Sequence, residues 1–359
     1  VTKRDPYLFP ESGESPENIP ETLRQGSGTS APTDGFRKHK KQPQDAVDWM
    51  VCMSKYVLKR LAMLIPVLIG VTFMVYFILS LSPGDTAAMI AGESADAETI
   101  EATRKDLGLD QPVIVQYGKY MLNLLHGDMG KSYKTKRDVF PTIMAAFPNT
   151  AKLAFWSILV AVAIALPIGI ISATRQYSAI DNVGMVAALL GVATPNFWLG
   201  LMLVNLFSVQ LGWLPALGMG SMSKGIGDVI SHMVLPCFCL ATIPTATFAR
   251  ITRSSMLEVI HSDSIKALRA RGIKESSIIW KHALKNALPP IVTVLGLQLA
   301  SAFTGAILTE SIFSWPGMGT MIVSAIDNRD YMLIQGTVLF IAVVFVVVNL
   351  LVDVVYMII

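Results

Sequence analysis

Long apolar runs alternate along the chain with short polar or basic connections, the pattern expected of helices that cross a bilayer. Six runs come near or exceed the roughly 20 residues that a crossing needs. They are Tyr56 to Leu81, Leu153 to Ala173, Val183 to Val209, Val234 to Ala249, Ile291 to Thr309, and Gly336 to Ile359. Only Lys59 and Arg60 interrupt the first of them, near its start. The connection Thr174 to Asn182 is so short that the second and third runs must form a hairpin.

Between the runs, the pattern changes to shorter amphipathic periods. Residues 83 to 150 predict a small helical cap with no run long enough to cross the membrane. "SADAETIEATRKDLG" opens on a Ser or Asp N-cap, keeps acids in its first turn and ends at Gly108, a suitable C-terminal cap. Pro112 can open the next helix, whose apolar stripe is Val113, Tyr117, Tyr120, Met121 and Leu124. In the connection 253 to 289, Asp263 can cap a short helix that runs to Ala270, and Gly272 can end it in the left-handed conformation. A second helix, roughly Ser276 to Leu288, places Ile279, Trp280, Ala283, Leu284, Ala287 and Leu288 on one stripe, with Lys281 and Lys285 on another.

Composition agrees with a bilayer protein: 52% of the residues are hydrophobic and 15% charged, against about 25% charged in an average soluble chain. The charges set the orientation. Seven Lys and Arg between Arg37 and Arg60 face only Asp45 and Asp48, which places the N-terminus in the cytoplasm. Eight more between Arg250 and Lys285 face three acids, so that connection is cytoplasmic too. Residues 83 to 150, 210 to 232 and 310 to 334 then face outward, with the C-terminus inside. The net charge of +3 follows from this bias and does not argue for nucleic acid. Residues 1 to 50 are polar and rich in Pro, Gly, Ser and Glu, and read as a disordered cytoplasmic extension. Its "RKHKK" (37 to 41) suits anionic lipid.

Candidate chemistry is sparse. "HGDMGKS" (126 to 132) ends like a phosphate-binding P-loop, but the glycine that such a loop requires falls on Leu125. The stretch also lies on the outward side. Cys237 and Cys239 fall inside the fourth run, and no cysteine has metal-ligand spacing with histidines. The runs hold almost no ionisable groups, whereas ion-coupled carriers generally need them. Ser231 and His232 abut the fourth run without an acid or metal cluster that would suit hydrolysis.

The connection "RSSMLEVIHSDSIKALRARGIKESSIIWKHALKNALPP" resembles the EAA loop of ATP-binding-cassette importer permeases. Counted from Gly272, that family's triplet lands on Lys266, Ala267 and Leu268, and its later positions on His282, Ala283, Leu284 and Lys285. The glycine, one alanine and the leucine match; the acid and the proline do not. "ALRARG" followed by "HALKNALPP" is similar to the branch that imports dipeptides, oligopeptides and nickel. Further resemblances are the Ser-Pro-Gly-Asp exit of the first run, "GDMGKSY", "TPNFWLG" (194 to 200), "ESIFSWPGMG" (310 to 319) and "RDY" (329 to 331). Together they cover about residues 55 to 359. The family commonly continues past its last span with Asp-Pro-Arg, whereas this sequence stops at Ile359, which leaves open whether the C-terminus is truncated.

The resemblance implies an all-α, six-span permease with both ends inside. Residues 51 to 82 would form the first membrane helix, 83 to 150 the outward region, and 151 to 359 a core with five more helices. It also implies a second homologous permease subunit, two cytoplasmic ATPases that carry ATP and Mg, and an extracytoplasmic substrate-binding protein. No catalytic residue, metal or cofactor is expected on this chain. Coupling to an ATPase would fall to Asp263, Ala267, Leu268, Arg269, Arg271, Gly272, Lys274, His282, Leu284 and Asn286. The cargo path and outer gate are expected at Pro195, Asn196, Phe197, Trp198, Glu310, Trp315, Pro316 and Gly317. The cargo is expected to be a peptide; a nickel chelate or a glutathione-like conjugate remains open.

Overall fold

The computed structural model describes residues 43–81, 86–92, 95–106 and 108–358. The basic run at 37 to 41 and most of the expected extension lie outside them. The chain divides into two compact units, Val1–Met53 and Ser54–Ile359. In the first, the described residues are the opening turns of helix α1 (Pro43–Ser80). Residues 43 to 50, expected to belong to a disordered extension, are therefore helical. Pro43 takes the first helical position, where its missing N–H removes no hydrogen bond.

In the second unit, all regular structure among the described residues is helical, with one isolated bridge between Lys131 and Asp138. Helices α2 (Thr86–Ala91), α3 (Ala97–Asp106) and α4 (Val113–Leu125) build the outward region. Asp96 caps α3 by accepting the Thr99 N–H at 2.9 Å, and Gly108, at φ +66°, closes its far end. The stripe read for α4 is the face it turns inward. Tyr117 bonds Thr72 at 2.9 Å and the Ile69 carbonyl at 3.0 Å, while Tyr76 donates to Gln116 at 2.8 Å, so α4 lies along the outer half of α1.

Among the described residues, five helices are long and apolar enough to cross a membrane: Leu58–Ser80 within α1, α5 (Val139–Thr174), α8 (Ile226–Ile260), Glu275–Ile312, and Tyr331–Val354. The sixth expected crossing is a broken pair. Helix α6 (Ala179–Ala193) and a second piece, α7 (Asn196–Leu203) continued by a π-helix to Gln210, are bent by 102° at the break. Pro195 explains it: it supplies no N–H and holds Thr194 extended, at φ −83° and ψ 122°.

Small residues let the central helices approach closely. Ala161, Ala165 and Gly169 of α5 pack against Ala241, Phe248 and Ala249 of α8, all buried. At Gly169 the fit is tight: a Cβ there would lie 2.6 Å from Thr252 Cβ and 2.9 Å from the Ala249 carbonyl. Helix α5 begins fourteen residues before the expected Leu153, because its outer turns bury Val139 and Ile143 against α12 (Met318–Asp327) and α13 (Tyr331–Ile358).

Candidate functional site

On the side that the charge bias places in the cytoplasm, α9 (Asp263–Ala270) leads through Gly272 into α10 (Glu275–Ser277), a π-turn (Ile278–Ala283) and α11 (Leu284–Ile312). Ser262, not Asp263, holds the N-cap position. Asp263 lies in the first turn, where a negative charge suits the helix dipole, and pairs with Lys266 at 2.8 Å. Gly272 ends α9 at φ +73°; its N–H bonds the Arg269 carbonyl at 2.9 Å, and that of Ile273 bonds the Leu268 carbonyl at 3.3 Å.

The second helix does not stop near Leu288. It runs on without a break through Pro289 and Pro290 into the membrane span, as one helix of 38 residues. The π-turn also shifts the expected stripe. Ile278, Ala283 and Ala287 are buried, Ile279, Leu284 and Leu288 half-buried, and Trp280 is exposed. A wider turn of i→i+5 bonds advances the phase by one residue, which a strict 3.6-residue reading misses.

This unit is rooted in the membrane domain. Ile265 and Ile278, fully buried, join Ile170 and Ala173 of α5, Met256 of α8, and Ile291 in one core cluster, with Leu268 packed against it. The opposite surface is basic: Ala267, Arg269, Arg271, Gly272, Lys274 and Asn286 are exposed, whereas His282 and Leu284 are half-buried. Arg269 is committed internally, gripping Glu275 through two bonds of 2.7 and 3.1 Å that tie α9 to α10.

One charge pair escaped the sequence reading. Arg253 of α8 binds Asp181 of α6 in two bonds, at 2.7 and 2.8 Å, and the Tyr177 N–H adds a third at 3.0 Å. Asp181 is 2% exposed. An acid in the tight connection after the second run was the available signal.

On the outward side, two of the stretches singled out in the sequence meet. The Ser132 hydroxyl of "GDMGKSY" donates to Asp330 of "RDY", and the Tyr133 N–H donates to the same carboxylate at 3.1 Å. Lys134 bonds Asn328. The Gly-Lys-Ser spelling thus belongs to a loop that docks through Ser132, Tyr133 and Lys134 on the turn before α13.

The expected gate loop 314 to 319 is a locked interior turn. Trp315 is fully buried and donates from Nε1 to the Asn149 carbonyl at 3.0 Å. Asn149 returns a 2.8 Å bond to the Pro316 carbonyl. Glu310, also fully buried, accepts the Gly319 N–H at 2.6 Å, and a side chain on Gly317 would collide with its carboxylate. Pro195, Phe197 and Trp198, by contrast, are exposed at the break of the bent pair. Asn196 is half-buried there, its carbonyl 3.3 Å from the Cys239 thiol. Helix α7, which carries Asn196, Phe197 and Trp198, packs against α8 and the outer end of α11, where Glu310 lies.

The model of the binding-protein-dependent transport system inner membrane component matches residues 165–359, and the N-terminal model of the same kind of membrane component matches residues 53–154. The chain is 43% identical over 324 residues to the dipeptide transport system permease protein DppB of Alkalihalophilus pseudofirmus, covering 85% of this chain and 97% of that one. It is 41% identical over 304 residues to the glutathione transport system permease protein GsiC of Salmonella choleraesuis. It is 39% identical over 307 residues to the oligopeptide transport system permease protein AppB of Bacillus subtilis. The last two matches each cover 85% of this chain and 97% of the relative.

Proposed function

Because the chain belongs to the inner-membrane components of binding-protein-dependent transport systems, we propose that it is one of two permease subunits of an ATP-binding-cassette importer of di- and oligopeptides. It is a multi-pass protein of the inner membrane. A homologous permease completes the pathway, two ATPases bind ATP and Mg on the inside, and an extracytoplasmic binding protein delivers the cargo. This chain contributes no covalent chemistry.

The observation that carries the coupling role is the α9–Gly272–α10 unit. Its apolar roots are fixed to α5, α8 and α11, while its exposed surface presents Arg271, Lys274 and Lys281 to the cytoplasmic side. A rigid knob with a basic surface suits a groove on an ATPase. Movement of that groove on nucleotide binding would tilt α11 and shift the balance between inward-open and outward-open packings. The dipeptide and oligopeptide permeases among the relatives favour peptide cargo; the glutathione permease favours a second reading, a peptide-like conjugate.

Vesicles that hold the whole complex test this. ATP-dependent uptake of a labelled dipeptide and a labelled pentapeptide, lost in Gly272→Pro while the complex stays assembled, is the expected result. Uptake of glutathione with neither peptide taken up selects the second reading, and uptake of none of them by a complex that hydrolyses ATP overturns the cargo class.

A further inference from the structure

A cavity of about 420 Å³ lies between the outer ends of α1 and α13, helix α4, the end of α3 and the loop after α4. Four tyrosines line it: Tyr76, Tyr120, Tyr133 and Tyr331. Three polar atoms of its wall have no partner among the described residues, namely the hydroxyls of Tyr120 and Tyr331 and the amide nitrogen of Gln335. Tyr120 is 6% exposed and Gln335 3%. Orphan groups so deeply buried are rare, and three on one cavity mark a place built to hold something polar.

The chemistry of the wall selects the occupant. Two hydroxyls and an amide N–H₂ are donors suited to a carboxylate. Burial pushes the Tyr120 phenol up to about 12, and the Tyr133 phenol is raised further, so each keeps its proton at neutral pH. Lining side chains carry charge of either sign, Lys105 and Lys119 against Asp106 and Asp128. Tyrosine faces attract an ammonium group. The volume falls in the range of roughly 300–1,000 Å³ usual for small-molecule sites.

We propose that this outward cavity binds a small zwitterion, a free dipeptide, with its carboxylate on Tyr120, Tyr331 and Gln335 and its ammonium toward Asp106 and Asp128. The site lies at the outer ends of two membrane-spanning helices, and its choice of ligand rests on the peptide-import reading. A phospholipid headgroup shares the ammonium-plus-anion chemistry and is the competing source.

The test uses the assembled complex in detergent, without the binding protein, and equilibrium binding of labelled alanyl-alanine. Saturable binding is expected. It should weaken at least tenfold in Gln335→Leu and in Tyr331→Phe, while ATP hydrolysis by those complexes stays unchanged. Glycerophosphoethanolamine should compete poorly. Three results would overturn the proposal: no saturable binding, binding that the two variants leave intact, or stronger binding of glycerophosphoethanolamine than of the dipeptide. Peptide uptake by the full system, measured in parallel, separates the failures. Uptake without this binding sinks the site alone, and loss of uptake for every peptide sinks the import reading.

Discussion

Replacing Gly272 by alanine tests whether the turn between α9 and α10 is a rigid element. At φ +73° the backbone is left-handed, and a Cβ there would meet nothing within 4 Å. The penalty is therefore purely conformational, about 1–2 kcal/mol for an L-residue in that region. The stiffer chain of the opened turn offsets about 0.4–1 kcal/mol. The net loss of about 1 kcal/mol corresponds to about a fivefold rise in the population of the opened turn. Hydrogen exchange in the assembled complex reads it directly, since the amides of Gly272 and Ile273 bond the carbonyls of Arg269 and Leu268. Asparagine, which tolerates the left-handed region, should lose less than alanine, and valine more. Transport rate should fall in the same order, with assembly intact. Equal exchange for wild type, Asn, Ala and Val would refute the reasoning, because among the described residues of this chain nothing touches a side chain there and the backbone angle sets the order.

Asp181→Asn should destabilise the complex by about 3 kcal/mol, the low end for a broken buried ion pair because Arg253 keeps some water; an unchanged thermal midpoint would count against it. Gly169→Val should cost about 1–3 kcal/mol by forcing α5 from α8, and Thr252→Ala in the same chain should recover part of it. The Thr99 hydroxyl and N–H hold the Asp96 carboxyl below the usual range. Its support for α3 is thus full above about pH 3.9, the ordinary carboxylate value, and is lost as pH falls through the lower folded-state value. Exchange in α3 should accelerate there, and Asp96→Asn should flatten the profile.

The membrane helices, the capped α3 and the inward stripe of α4 were legible because each rests on local periodicity or a capping residue. Gly272 was legible for the same reason. The bend at Pro195 falls inside a run, Val183 to Val209, that reads as one span, and its angle depends on what the two pieces pack against. Trp280 was misplaced because the π-turn has no period of its own in the sequence. Trp315 and Glu310 are ambiguous as letters: a tryptophan beside a proline fits a membrane boundary, and only the pairing with Asn149 and Gly319 buries the turn. The Arg253–Asp181 pair and the Ser132–Asp330 contact join residues 72 and 198 positions apart, beyond any local pattern.

The uninterrupted helix from Glu275 to Ile312 sets a scale for signalling across the bilayer. Its 38 residues measure about 57 Å at 1.5 Å per residue. The same element carries the cytoplasmic knob at one end and Glu310, clamped to Gly319, at the other. A pivot of about 5° near its middle would carry each end through about 2.5 Å, taking the half-length from the helical rise. That is close to the full length of the Glu310–Gly319 bond. If the proposed ATPase docking tilts this helix, a small angular stroke would span the length of the outer clasp, and the gearing would lie in the length of one helix.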